Sequence, residues 1–272
     1  MLARNVRQLG HLGLAGAGQV TIANGHAFVG HLPNRENLGT SILDISDPRR
    51  PRVIATVSLD DPHSHSHKVR VTGDLMLVNH ERNMSRIGRR ADELPAVRRT
   101  LSEELRREPA RKEIADRMGV SEDDLRSLDE LEQRGYHNGG FKIYDISAPN
   151  RPRLVCYQRT GGIGVHRFDA DGRHAYISTE MPGYVGNILV IYDLGDPRKP
   201  EEISRWWLPG QHIESGEVPS WAGRQHRLHH ALRFGNELWA SCWHAGFRVV
   251  DVSDLAHPRS LSQSPPKRSR SS

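Results

Sequence analysis

Residues 142–152 have the sequence KIYDISAPNRP, and three variants of this stretch occur elsewhere in the chain. The variants are SILDISDPRRP (41–51), VIYDLGDPRKP (190–200) and RVVDVSDLAHP (248–258). Each copy is a run of β-branched or aromatic residues that leads into an Asp, a small polar turn and a Pro. Asp and Ser side chains accept hydrogen bonds from nearby backbone amides, and Pro restricts φ. The stretch therefore predicts a strand that ends in a defined turn.

The four copies define a repeat. Their shared aspartates are Asp44, Asp145, Asp193 and Asp251, which are 101, 48 and 58 residues apart. A strand ending in Gly and a second apolar strand precede each copy, and a further strand follows its Pro. A repeat of roughly 40–50 residues with four short strands is typical of a β-propeller blade. We therefore predict an all-β chain, a β-propeller of four-stranded antiparallel blades, over residues 1–258. An antiparallel sandwich is the alternative.

These motifs resemble the LVIVD-repeat β-propeller family, and the resemblance extends over residues 4–83 and 139–258. Members of that family continue for several more blades, whereas this chain changes at Arg259 to a polar, low-complexity sequence. The resemblance therefore implies a C-terminally truncated member, with four blades in an open or incomplete array and a disordered tail over 259–272. An open array exposes an edge strand. We expect self-association through that edge unless the N-terminal sequence RNVRQLGHL pairs with blade four.

Residues 84–138 interrupt the second blade. They are charged, rich in helix formers and have leucines at helical spacing, such as Leu101 and Leu105. We therefore predict an α-helical insertion that caps one face of the propeller. The stretch EIADRMGVSEDDLRSL is similar to a helix-turn-helix of the sigma-factor type. Its second helix is acidic and would be repelled by phosphates, so we expect no nucleic-acid partner.

The composition limits the compartment and the partners. Hydrophobic residues make up 36% of the 272 residues, which is enough for a sizeable core. No apolar run approaches the roughly 18 residues of a membrane span, and the N-terminus has no secretory h-region, so we expect no membrane partner. The two cysteines fit a reducing compartment, and we predict a cytoplasmic protein. Three units of the net charge of +5 come from the last thirteen residues, so the remainder has no basic footprint for nucleic acid.

Three of the 16 histidines occupy one position in the repeat. His67, His166 and His229 each stand six residues before a blade glycine. The first strand of a propeller blade lines the central channel, so these imidazoles should converge on the axis. Neutral imidazoles are good ligands for Zn, Fe, Mn or Cu, and three of them leave coordination positions open for water or substrate. The alternative is that each histidine begins a strand and hydrogen-bonds a neighbouring blade.

Other polar side chains are predicted at the same rim. Glu81 and Glu180 stand eight residues after blade glycines. Either could complete a metal sphere, orient a ligand or act as a general base, and the alternative is a solvated loop carboxylate. His63 and His65 are either further ligands or members of a polar loop. One of the adjacent Trp206 and Trp207 should lie in the core. The predicted substrate-binding residues are Gln19, Trp207, Glu217, Trp221 and Arg224.

Two functions fit these predictions. The first is a metal-dependent enzyme that acts on a small organic substrate at the propeller axis, with a divalent transition metal (Zn, Fe or Mn) held by the three histidines. Hydrolysis by a metal-activated water and oxygen-dependent oxidation both fit such a site. The second is a non-catalytic propeller that serves as a binding scaffold, with structural histidines.

Overall fold

The computed structural model describes residues 6–61, 63–84, 90–221 and 223–263, and they form an array of four β-propeller blades. Blade 1 contains β1 (Ala17–Ala23), β2 (His26–His31), β3 (Leu38–Asp44) and β4 (Arg52–Ser58). Blade 2 contains β5 (Ser64–His65), β6 (Val69–Thr72), β7 (Leu75–Arg82), β8 (Gly140–Asp145) and β9 (Arg153–Arg159). Blade 3 contains β10 (Gly161–Ala170), β11 (His174–Glu180), β12 (Ile188–Asp193) and β13 (Glu201–Trp206). Blade 4 contains β14 (Arg227–Phe234), β15 (Glu237–Trp243), β16 (Gly246–Asp251) and β17 (Arg259–Gln263).

Sequential strands within each blade pair antiparallel. The predicted fold class, an all-β propeller of four-stranded antiparallel blades, is therefore confirmed. Blade 2 differs from the other blades because its first strand is divided into β5 and β6, which both pair with β7. A single pair, Gly164 with Glu81, also connects blade 3 to blade 2 at one rim.

The turn after the third strand of each blade has the hydrogen bond that the repeat predicts. In all four blades the motif aspartate accepts the backbone N–H of the residue two positions later, at 2.7–2.9 Å. In blade 2, hydrogen bonds from Ser147 and then from Arg153 lower the pKa of Asp145 to about 2. The aspartate is therefore ionised at neutral pH and holds both the turn and the beginning of β9.

The apolar cores lie between neighbouring blades. The first joins blades 1 and 2 around Phe28 and Met76, the second joins blades 2 and 3 around Leu77 and Ile177, and the third joins blades 3 and 4 around Tyr176 and Leu238. The sheet of an interior blade buries one face against the blade before it and the other against the blade after it. Blades 2 and 3 are thus covered on both faces by other blades, whereas blades 1 and 4 each have one face outside these three cores.

The predicted α-helical insertion is confirmed. It contains α1 (Leu94–Leu105), α2 (Arg111–Met118) and α3 (Glu122–Arg134), which bury their apolar residues against one another. Ser121 caps α3 by accepting the N–H of Asp124 at 3.0 Å. None of the described helices has the length and apolar content that a membrane crossing needs. The insertion leaves β7 and returns to β8 at the rim where the first strands begin, and the Tyr136 hydroxyl bonds Ser64 there at 2.8 Å.

The two ends of the array are not joined by a shared strand in the described residues. Leu14 of the N-terminal segment packs on Ala27, Val29 and Leu43 of blade 1, and blade 4 is completed by its own β17. The closing strand considered for the N-terminal sequence is therefore absent from residues 6–16. Residues 259–263, which the sequence assigned to the tail, form β17, and the rest of the tail lies outside the described residues.

Candidate metal centre

The candidate site arises where the first strand of blade 2 is divided. β5 pairs His65 directly with Glu81 of β7, and pairing resumes in β6 at Val69. His65 and His67 are two positions apart along an extended segment, so their side chains lie on the same side of it. The two imidazole rings stack with centroids 4.7 Å apart. One ligand atom from each of His65, His67 and Glu81 lies within 4.8 Å of the others.

Glu81 is a buried carboxylate with two histidine neighbours. Only 4% of the residue is exposed. His166 Nδ1 of blade 3 donates to Oε1 at 2.7 Å, and His65 Nε2 lies 3.3 Å from Oε2. Burial would raise the pKa of Glu81, but the hydrogen bond from His166 and the adjacent ring of His65 outweigh it and lower the pKa to about 2. Glu81 is therefore an anion at every physiological pH.

Several ligand-type atoms in this cluster are buried without a hydrogen-bond partner among the described residues. They are Nδ1 of His65, Nδ1 of His67, Oε2 of Glu81 and Nε2 of His166. A buried polar atom without a partner costs roughly 1–3 kcal/mol, so several in one place need an explanation. The spacing of 3.3 Å between His65 Nε2 and Glu81 Oε2 also matches the roughly 3–4 Å between two ligands of one metal ion. The residues present therefore fit a divalent metal.

Lys68 is a buried cation beside this group. Its side chain contacts Nε2 of His67, and only 2% of the residue is exposed. Burial lowers the pKa of Lys68 to about 8, and the negative charge of Glu81 opposes that shift. The backbone N–H of Lys68 is held by the Asn79 side chain at 2.9 Å. A buried ammonium beside the cluster balances the charge of Glu81.

An aromatic wall continues from His166 toward blade 4. The ring of His229 lies 5.0 Å from the ring of His166 and meets Trp243 edge-on at 5.1 Å. Burial, followed by the nearby charges of His166 and Arg167, lowers the pKa of His229 to about 4, so its ring is neutral at pH 7. A shallow cavity of about 310 Å³ opens beside this wall. It is lined by His229, Ser241, Cys242, Trp243, His244 and Gly246.

The three histidines predicted as one ligand set are divided between these two groups. Among the described residues, the set that comes close enough to share a metal is His65, His67 and Glu81. His166 instead bonds Glu81, and His229 lies beyond His166. Paired strands within one blade are only about 4.8 Å apart, so side chains on them can share a metal ion. Equivalent positions in separate blades are farther apart.

Glu180 and Gln19 have structural contacts. Glu180 Oε2 accepts the backbone N–H of Ile163 at 3.0 Å, because β10 bulges toward it before the regular pairing begins. Gly161 pairs with Glu180 as His65 pairs with Glu81, so blade 3 has no matching ligand beside Glu180. Gln19 donates to the carbonyl of Val69 in blade 2 at 3.2 Å. This contact agrees with the alternative given above, in which the residue at this repeat position begins a strand and hydrogen-bonds a neighbouring blade.

The predicted substrate-binding residues of the long loop hold that loop together. Glu217 accepts hydrogen bonds from Trp207 Nε1 at 3.2 Å and from the backbone N–H groups of Gly210 and His212 at 2.7 and 3.2 Å. Trp221 donates to the carbonyl of Pro209 and stacks on His226, and Arg224 is exposed. Trp206 is 6% exposed, so it is the core member of the Trp206–Trp207 pair.

Two family models match separate parts of the chain. The LVIVD repeat matches residues 236–263, which cover β15 to β17 of blade 4, and sigma-70 region 3 matches residues 90–135, which cover the helical insertion. None of the curated proteins compared with the chain matches it. The repeat match supports a relationship to the LVIVD-type propellers.

Solved structures with a similar fold are propellers or propeller-like proteins of greater length. A protein from Lactobacillus plantarum has 11% identity and a TM-score of 0.54, and the match covers 92% of this chain and 57% of that one. A hypothetical selenium-binding protein from Sulfolobus tokodaii has 12% identity over 93% and 50% of the two chains, with a TM-score of 0.53. The periplasmic gluconolactonase of Pseudomonas aeruginosa has 10% identity over 92% and 54%, with a TM-score of 0.51. The chain spans about half the length of these structures, and the likeness concerns the fold.

Proposed function

We propose that this protein is a metal-dependent enzyme that acts on a small organic substrate at the propeller axis. In this proposal His65, His67 and Glu81 hold a divalent transition metal, with Zn, Fe and Mn as the candidates. The observation that carries the proposal is the group of buried, unpartnered nitrogen and oxygen atoms on these three residues. Two histidines and one carboxylate are a donor set used by catalytic zinc sites and by non-haem iron sites, and both keep positions open.

The residues around the ligands have distinct roles in this proposal. A divalent metal at this position would polarise a substrate oxygen and lower the pKa of a bound water. His166 orients Glu81 through the 2.7 Å hydrogen bond to Oε1, which leaves Oε2 directed at His65. Lys68 neutralises the carboxylate and fixes the ring of His67. The burial of Glu81 and Lys68 excludes water from the side of the cluster that faces the sheet.

The aromatic wall indicates where a substrate would lie. His229 and Trp243 line the cavity of about 310 Å³, which is the size of a small organic molecule, and the ring of His166 lies beside both of them. Lactones and carboxylic esters are the first substrates to test, because a metal-bound water attacks their carbonyl carbon. The similarity in fold to a gluconolactonase suggests the same class.

One observation favours a second function. Lys68 contacts His67 and already balances the charge of Glu81, so the cluster could be a buried polar network that fixes the blade geometry. In that case the propeller is a non-catalytic binding scaffold.

Metal content separates the two functions. We expect tag-free protein to contain about one equivalent of Zn, Fe or Mn per chain by elemental analysis. The apoprotein should take up Co²⁺ with the visible absorption of a low-coordinate nitrogen and oxygen site. His65→Ala and Glu81→Gln should abolish the uptake. His26→Ala, which removes a half-buried histidine at the opposite rim, should leave it unchanged.

A protein without bound metal would support the second function. Less than about half an equivalent of metal, with no Co²⁺ uptake by folded protein, would support the scaffold and exclude the enzyme. Hydrolysis of a lactone and ester panel should then be measured with and without the metal. Activity that survives both metal removal and Glu81→Gln would show that the reaction occurs elsewhere.

A further inference from the structure

The outer face of blade 4 repeats a surface that is buried in the other blades. The residue that pairs with the motif aspartate is His26, Leu75, His174 and Glu237 in blades 1 to 4. Two positions later stand Phe28, Leu77, Tyr176 and Trp239. Phe28, Leu77 and Tyr176 are at most 1% exposed and pack against the next blade, but Trp239 is 43% exposed.

The neighbours of Trp239 extend this apolar surface. Its cross-strand partner is Val249, at the position where blades 1 to 3 have fully buried isoleucines. The ring of Phe234, which is 62% exposed, lies 6.3 Å from Trp239, and the ring of Phe247 lies 5.5 Å away. Three aromatic rings on one sheet face form a surface that soluble proteins normally cover.

Blade 1 exposes the complementary surface. Val20 and Ile22 of β1 are 52% and 69% exposed. The strand pairing places them at the positions of Val69 and Val71 in blade 2, which pack against the preceding blade. The chain therefore has one half of a blade-to-blade interface at each end.

The N-terminal segment covers only part of blade 1. Leu14 packs on Ala27 and Val29, while Leu9 and Leu12 of the same segment are 43% and 39% exposed. The described part of the segment lies on blade 1, so it is not what covers Trp239 in blade 4.

We propose that two copies of this chain associate head to tail, with blade 4 of each copy packed against blade 1 of the other, to close a ring of eight blades. The occupant of each exposed face is thus a second copy, because the two faces reproduce the two sides of the interfaces inside the chain. A two-fold axis satisfies both ends at once and leaves neither apolar face exposed.

The mass of the protein in solution tests this proposal. Light scattering coupled to size-exclusion chromatography should give twice the chain mass of 30.7 kDa across a wide dilution series. Trp239→Glu on blade 4 and Ile22→Glu on blade 1 should each weaken dimerisation by about tenfold or more. Leu154→Glu, a matched charge placed on an exposed leucine of blade 2, should leave the dimer intact. Phe234→Glu replaces Trp239→Glu if circular dichroism shows that the latter is unfolded.

Mixing the two variants identifies which faces meet. The proposed dimer has two contacts between blade 4 and blade 1. In a homodimer of either Trp239→Glu or Ile22→Glu, each of these contacts contains one substituted residue. A mixed dimer has both substitutions in one contact and none in the other, so mixing should restore dimers. If only Trp239→Glu dissociates the protein, blade 4 pairs with itself and the head-to-tail ring is excluded. A wild-type monomer, or a mass that keeps growing with concentration as in an open filament, would also overturn the proposal.

Discussion

His166 connects the two halves of the candidate site through one hydrogen bond. Its Nδ1 donates to Glu81 Oε1 at 2.7 Å, while its other nitrogen, Nε2, is buried without a partner among the described residues. The residue thus positions a carboxylate on the neighbouring blade. A hydrogen bond of this kind fixes the direction of the carboxylate and keeps it deprotonated.

We therefore expect His166→Phe to weaken Co²⁺ binding by about 10–100-fold while the number of sites stays unchanged. The measurement is a competition titration against a chromophoric chelator. His229→Phe is the matched control, because His229 lies in ring contact with His166 and has no bond to Glu81 among the described residues. Equal losses in the two variants would indicate that packing, and not the hydrogen bond to Glu81, determines the affinity.

At the scale of elements, the loop after β13 depends on one carboxylate. Burial would raise the pKa of Glu217, but hydrogen bonds from Trp207, His212 and Gly210 outweigh it and hold the pKa below its usual value. A carboxylate with a lowered pKa stabilises the folded state above its ordinary pKa of about 4.5, and this contribution is lost as the pH falls through the folded-state value. The loop should therefore loosen in acid before the blades unfold.

Hydrogen exchange at the amides of Gly210 and His212 measures this effect. We expect Glu217→Gln to reduce their protection roughly fivefold at neutral pH, since a hydrogen bond contributes about 1 kcal/mol. The wild type should show the same loss only below its usual carboxyl pKa, after correction for intrinsic exchange rates. Glu214→Gln, in the same loop and exposed, is the control. Unchanged protection in Glu217→Gln would mean that the loop is held by its apolar contacts alone.

The helical insertion has its own apolar core, formed by Leu101, Leu125, Leu128 and other residues of the three helices. His80 of β7 pairs with Gly140 of β8, so the two ends of the insertion are close together. We expect replacement of residues 85–134 by a short Gly-Ser linker to leave the propeller folded. The helical dichroism should disappear, and the thermal midpoint should change by less than about 5 °C. Loss of the sheet signal in this variant would show that the helices support blade 2.

Much of the fold follows from the sequence because its signals are local. Asp44 and Asp251 each hold a turn two residues away, so the repeat could be recognised from short stretches. The proposed metal ligands are harder to predict from the sequence. Counting residues from the blade glycines identifies equivalent positions only if the first strands of all blades are identical. The division between β5 and β6 breaks that assumption and brings His65 opposite Glu81. The alternating histidines of HSHSH (63–67) are the signal that could have indicated His65 and His67 on one side of a strand.

At the scale of the whole molecule, the protein is a linear array in which each blade is stabilised by its neighbours. The cores lie between blades, so an interior blade loses two interfaces when it unfolds and an end blade loses one. Stability in such an array is close to a sum of nearest-neighbour contributions. The same kind of substitution should therefore change the free energy of unfolding more at a position buried between two blades than at the equivalent position on an exposed end face.

Phe28 and Trp239 provide this comparison, because they occupy one position in blades 1 and 4. We expect Phe28→Ala to lower the free energy of unfolding by about 3–5 kcal/mol, since it leaves a cavity between blades 1 and 2. Trp239→Ala should lower it by about 1 kcal/mol or less when urea unfolding is followed at high dilution, because the side chain is 43% exposed. At high protein concentration the cost of Trp239→Ala should rise, because a second copy then buries this face and stabilises the folded chain by mass action. A large cost that does not depend on concentration would instead mean that a segment of the same chain covers blade 4.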